Sequence, residues 1–153
     1  MHIEIINGLW IGNRKDAFDK SFLESREINI IINVTNEVPF IDNEFIEKIR
    51  IPVSDKYLCK EDLLKHNNDI SHHLDPISNY IKKKLSLGKN ILIHCNKGKF
   101  RSTTVLIAFL LKFLRYPLLD IMDMIRTKYP LKPLDKHLFK NALINFENQI
   151  KSL

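Results

Sequence analysis

Cys95 and Arg101 stand six positions apart in "HCNKGKFRS", with a glycine and two lysines between them. A thiolate is a strong nucleophile, and a guanidinium can meet two oxygens of a phosphate-like anion at once, which lysine cannot do. Gly98 permits a close turn. Ser102 can offer its hydroxyl to the sulfur and ease its departure in a second step. The stretch follows the apolar run "NILIH" and precedes "TTVLIAFLLKFL", which is apolar on nearly every face. The order is therefore strand, loop and buried helix. A loop in that position turns successive backbone N–H groups inward beside a helix N-terminus, an arrangement suited to an anion. Both the helix end and Arg101 favour the thiolate of Cys95 over the thiol. These residues read as a phosphate cradle with a nucleophile at its floor.

The surrounding elements alternate between strand-like and helix-like segments, which predicts an α/β domain. "IEII" and "LWIG" read as short strands around Asn7-Gly8, and residues 16 to 26 as a helix turning Ala17, Phe18 and Phe22 inward, with Leu23 as a further candidate. "INIIINV" (28 to 34) is a buried strand by its β-branched run, and a further strand lies near residues 47 to 53. The polar stretch from Ser54 to Asn68 is expected as a loop, or a loop holding a short helix. Ile70, Leu74, Ile77, Ile81 and Leu85 then recur at helical spacing, with Asp69 or Asp75 as the expected N-cap. Two amphipathic helices should begin near Pro117 and near Asp135, the second burying Phe139, Ala142, Leu143, Phe146 and Ile150.

A chain of 153 residues with 44% hydrophobic content is expected to form one domain over 1–153. No apolar run is long enough for a membrane span, and "MHIEIINGLW" does not read as a secretory signal. With only Cys59 and Cys95, no disulfide scaffold or CxxC zinc site is expected, and a cytoplasmic protein, with the nucleus as a further compartment, fits best. The net charge of +6 favours anionic partners. His66, His72 and His73 near Cys59 fit no standard metal spacing and read as surface histidines.

"HCNKGKFRS" resembles the HCxxGxxR[ST] signature of the cysteine-dependent protein tyrosine phosphatases, and the short chain points to their dual-specificity branch. The resemblance extends through "LWIGN", "IINVTNEVP", "IPVSD" and the closing "KYPLKPLDKHLFKNALINFE". It implies a central, mostly parallel twisted sheet flanked by helices. It also implies that Cys95 attacks phosphorus to form a cysteinyl-phosphate, that Arg101 holds the transferring oxygens, and that His94 orients the loop and tunes the thiolate. Asn96, Lys97, Gly98, Lys99, Phe100 and Arg101 would form the phosphate-binding loop. No metal or other cofactor is required, because loop dipoles and Arg101 supply the electrostatic stabilisation.

The IPxxD match nominates Asp55 as the general acid. Asp55 lies 40 residues before Cys95, longer than usual in this branch, so "KYLCKEDLLKHNN" reads as an insertion. Asp62, 33 residues before Cys95, suits the spacing better but lacks the motif and reads as a solvated helix-end carboxylate. Phe100 stands where relatives carry a small residue, either walling the pocket or packing under the loop. Leu134 stands where many have an asparagine, so a hydrogen bond supporting the loop is expected to be missing. The substrates implied are phosphotyrosine and phosphoserine or phosphothreonine in proteins, with no stable nucleic-acid complex. Inositol phosphates, phosphoinositides or RNA 5′ phosphates are the alternative, suggested by Lys97 and Lys99, and a non-catalytic phosphate-binding module is the other class. Cys59 could pair reversibly with an oxidised Cys95, though a free thiol is the simpler reading.

Overall fold

The β-branched runs form the centre of the sheet because their side chains fill both of its faces. In the computed structural model, which describes residues 1–152, the strands are β1 (Ile3–Ile6), β2 (Leu9–Gly12), β3 (Ile30–Asn33), β4 (Glu47–Arg50) and β5 (Ile91–His94). Their order is β1-β2-β5-β3-β4; β1 and β2 are antiparallel, and every other pair is parallel. Along β2, β3 and β5 the alternation is regular. Leu9, Ile11, Ile30, Ile32, Ile91 and Ile93 face one core, whereas Trp10, Ile31 and Leu92 face the other. A strand buried on both sides reads as a continuous apolar run, which is why "INIII" and "NILI" were legible.

The larger core is closed by α2 (Lys60–Ser86), α3 (Arg101–Leu114), α4 (Leu118–Arg126) and α5 (Lys140–Lys151). On the other face lie α1 (Lys20–Ser25) and the short 3-10 turn before it, contributing Ala17, Phe22 and Leu23. Helix α3 is buried from Arg101 to Leu111, as its all-round apolarity requires. Asp19, not a residue inside a longer helix from 16, caps α1 by accepting from the Phe22 N–H at 3.1 Å.

The polar stretch after Ser54 corrects the sequence reading. Helix α2 begins at Lys60 and runs 27 residues through it, so Asp69 and Asp75 lie inside the helix and Cys59 holds the N-cap position. The first turns from Lys60 to Asp69 bury only Asn67, leaving no apolar stripe to reveal the period. What looked like an insertion is thus mostly an extension of a helix. Asp135 lies in a 3-10 turn (Leu134–Lys136), and α5 starts five residues later with its expected stripe buried. No helix among the described residues is long and apolar enough to cross a membrane.

Candidate active site

Central strand β5 delivers His94 and Cys95 to the carboxyl end of the parallel strands, where α/β sheets open a crevice. The next residues wrap into a loop whose carbonyls are held from outside. Asn96 O accepts from the Arg14 N–H at 2.9 Å, Gly98 O from the Tyr129 hydroxyl at 2.8 Å, and Lys99 O from the Thr103 hydroxyl at 2.7 Å. Phe100 O accepts from both the Thr104 N–H and the Thr104 hydroxyl. No backbone N–H from Asn96 to Phe100 has a partner among the described residues. Carbonyls fixed outward leave these amides and the open N-terminus of α3 to face an anion.

Gly98 is required twice over. Its φ of +72° lies in the left-handed region, and a Cβ there would collide with the Tyr129 hydroxyl and the Gly12 carbonyl. Burial raises the pKa of Tyr129 to about 12, helped by the Cys95 sulfur and Asp16, so its hydroxyl stays protonated and able to donate.

Cys95 is 2% exposed, and its Sγ lies 3.2 Å from Ser102 Oγ. His94 Nδ1 donates to Cys95 O at 2.9 Å, because a carbonyl only accepts. Burial lowers the pKa of His94, keeping the ring neutral, and its Nε2 is buried without a protein partner. The predicted nucleophile, its hydroxyl neighbour and the preceding histidine are therefore brought together.

Arg101 is 1% exposed and donates from Nη1 and Nη2 to the two carboxylate oxygens of Glu37 at 2.8 and 2.7 Å, and from Nη1 to Val53 O at 2.8 Å. Burial opposes its charge, but Glu37, Asp55 and the Cys95 sulfur outweigh that and raise its pKa. The same pairing lowers the pKa of Glu37. Nε of Arg101 is buried with no hydrogen-bond partner, so its N–H and the second N–H of Nη2 are the two guanidinium donors left unassigned. Asp55 Oδ2 approaches it at 3.5 Å.

Glu37 was not singled out from the sequence. It belongs to the turn after β3, which is locked by the Thr35 hydroxyl on Asn33 Oδ1 (2.7 Å), the Val38 N–H on Thr35 Oγ1 (2.9 Å) and Asn33 Nδ2 on Val38 O (2.8 Å). Arg50 adds bonds to the carbonyls of Thr35 and Val38. The available signal was its place: a carboxylate just past the carboxyl end of a parallel strand.

Asp55, Lys56, Cys95, Asn96, Lys97, Lys99, Phe100 and Leu138 line a cavity of about 410 Å³. Asp55 enters it, whereas Asp62 lies in the first turn of α2 and accepts from the Leu58 N–H at 3.0 Å, which lowers its pKa. His66 donates from Nε2 to Lys56 O at 2.6 Å and so pins the Asp55 segment. Phe100 both walls the cavity and packs edge-on against His137 at 5.1 Å. Lys97 and Lys99 are exposed and also line a second cavity of about 380 Å³ beside Tyr129 and Lys132. Cys59 is exposed and Cys95 buried, and both are free thiols.

The model of the family described as dual specificity phosphatase, catalytic domain, matches residues 9–149. The chain is 30% identical over 152 residues to dual specificity protein phosphatase Mpk3 of Drosophila melanogaster, covering 97% of this chain and 34% of that protein. It is 29% identical over 147 residues to dual specificity protein phosphatase 18 of Rattus norvegicus, covering 96% of this chain and 67% of that one. It thus spans about a third of the Drosophila relative and two thirds of the rat one. The structure of human DUSP28 shares the fold with a TM-score of 0.82 at 20% identity, over 98% of this chain and 95% of the other. By the match of residues 9–149 to its model, this chain belongs to the dual-specificity phosphatase catalytic-domain family.

Proposed function

We propose that this chain hydrolyses phosphate monoesters of tyrosine and of serine or threonine in proteins, through a cysteinyl-phosphate intermediate. The observation that carries the reading is the buried sulfur of Cys95 in a loop whose amides are unpaired, together with the Nε of Arg101, which makes no hydrogen bond and faces Asp55 Oδ2 at 3.5 Å. The Cys95 thiolate forms the S–P bond as the P–O bond to the substrate breaks, and Asp55 gives its proton to the leaving oxygen. The loop amides and Arg101 hold the three equatorial oxygens, where charge is spread in the transition state. Water then attacks phosphorus, Asp55 accepts its proton, and the S–P bond breaks. The Ser102 hydroxyl, 3.2 Å from the sulfur, stabilises the returning thiolate. His94 orients the floor through its bond to the Cys95 carbonyl. No step draws on a metal.

The test is phosphate release from a phosphotyrosine peptide, a phosphothreonine peptide and an inositol polyphosphate, with wild type and Cys95→Ser compared. Release from both peptides that disappears in Cys95→Ser supports the reading. Activity confined to the inositol polyphosphate would move the assignment to small polyanions, and tight phosphopeptide binding without release would make the chain a binding module.

A further inference from the structure

At Leu134 a hydrogen bond supporting the loop is expected to be missing; three residues later His137 reaches Thr103, which bonds the loop. His137 is 3% exposed and sits between the 3-10 turn and α5. The Phe139 N–H donates to its Nδ1 at 3.1 Å, so that nitrogen carries no proton and Nε2 carries the ring's hydrogen. Nε2 lies 3.1 Å from Thr103 Oγ1, which must therefore accept from it. The Thr103 hydroxyl is left with its own hydrogen, which it directs at Lys99 O at 2.7 Å, with Phe100 O at 3.1 Å as a weaker second acceptor. Every bond in this series has one permitted direction.

We infer that His137 and Thr103 form a positioning relay that sets the phosphate loop from behind, turning the Lys99 carbonyl outward so that the loop amides face the bound oxyanion. This deepens the proposed phosphatase reading and rests on it. The far end of the relay is itself fixed, because Asn67 on α2 donates to Leu138 O at 3.0 Å and accepts from the Ala142 N–H at 3.1 Å. Phe100, on the loop, packs its edge against the His137 ring. Burial lowers the pKa of His137 to about 4, so the ring is neutral and the series keeps its polarity at neutral pH. A residue holding only the hydrophobic core would need none of this order. Neither side chain touches the cavity that contains Cys95.

The variants are Thr103→Val, which keeps the branched shape; His137→Phe, which keeps a ring beside Phe100; His137→Gln, which can restore a donor toward Thr103; and the Thr103→Val, His137→Phe pair. Binding of inorganic tungstate, thermal midpoint, and kcat and KM on p-nitrophenyl phosphate are measured for each. Thr103→Val and His137→Phe should each weaken tungstate binding about tenfold and lower kcat by a similar factor, the double variant should be no worse than either single, and His137→Gln should recover part of the loss. Lower thermal midpoints with unchanged tungstate affinity and kcat would make both residues merely structural, and losses that multiply in the double variant would sever the relay. The tungstate measurement reads the loop even if no phosphoester is hydrolysed, so failure of the relay is separable from failure of the phosphatase reading.

Discussion

Arg101 is 1% exposed and tied to Glu37 and Val53 by three hydrogen bonds, whereas Asp55, 3.5 Å from the same guanidinium, is one-third exposed on a segment without regular secondary structure. The floor of the site is over-determined: each loop carbonyl from Cys95 to Phe100 that has a partner is held by a different element or by α3 itself. The rim is held by a few local contacts, chiefly His66 on Lys56 O and the Lys56 N–H on Ser54 Oγ. The contrast suits two tasks. Charge developing in a transition state is stabilised best by dipoles already in place, while a proton donor must approach substrates whose leaving groups differ.

The rim is broken most cleanly at Asp55. Asp55→Asn should lower kcat on a phosphothreonine peptide about 10²- to 10³-fold, within the range of general acid catalysis. The loss should be smaller on p-nitrophenyl phosphate, whose leaving group departs without a proton. Asp62→Asn should stay within about twofold of wild type on both, since an amide oxygen can still accept from the Leu58 N–H. Steady-state rates on the two substrates decide between the carboxylates; a large loss in Asp62→Asn with none in Asp55→Asn would reverse the assignment.

The same contrast governed what could be read beforehand. The grouping of Cys95, Arg101 and Ser102 was legible because the three lie within one short stretch of contiguous chain, bounded by a strand and a helix of clear apolar pattern. Glu37 lies 64 residues from the arginine it clamps, Tyr129 reaches the loop from 31 residues away, and His137 meets Thr103 across 34. Such pairings are made by the tertiary fold and leave no periodicity in the sequence. The start of α2 was missed for a local reason, since its first turns face solvent and carry no stripe. The spacing argument about Asp55 suffered accordingly, because part of the apparent insertion is helix.

On the floor, Glu37→Gln tests whether a charge-assisted clamp, rather than mere contact, fixes Arg101. Hydrogen bonds to charged groups are worth about 1.5–3 kcal/mol, less where solvent screens them as at Glu37, itself about one-third exposed, so kcat/KM should fall about tenfold. A pH signature accompanies it. The pKa of Glu37 is depressed below its ordinary 4.5 by the Arg101 hydrogen bonds, so the folded state holds fewer protons there than the unfolded chain. The stabilisation is present above pH 4.5 and is lost as pH falls through the depressed value. Acid unfolding of Glu37→Gln should lack that part of the slope while keeping the rest, and identical acid curves for the two proteins would remove the clamp from the account.

The smallest effect belongs to the lysines, which separate the rim from the floor within a single loop. Lys97 and Lys99 are exposed and face two cavities, so their charge acts through solvent and attracts rather than orients. Replacing both by alanine should lower kcat/KM on an acidic phosphopeptide about threefold at ~0.05 M salt, mostly through KM, and hardly at all at ~0.5 M, where the screening length shrinks to a few ångströms. A loss confined to kcat and indifferent to salt would place one of these ammonium groups on the transferring phosphate itself. The boundary between a pre-set floor and a permissive rim would then run outside the loop, at Asp55, instead of through its middle.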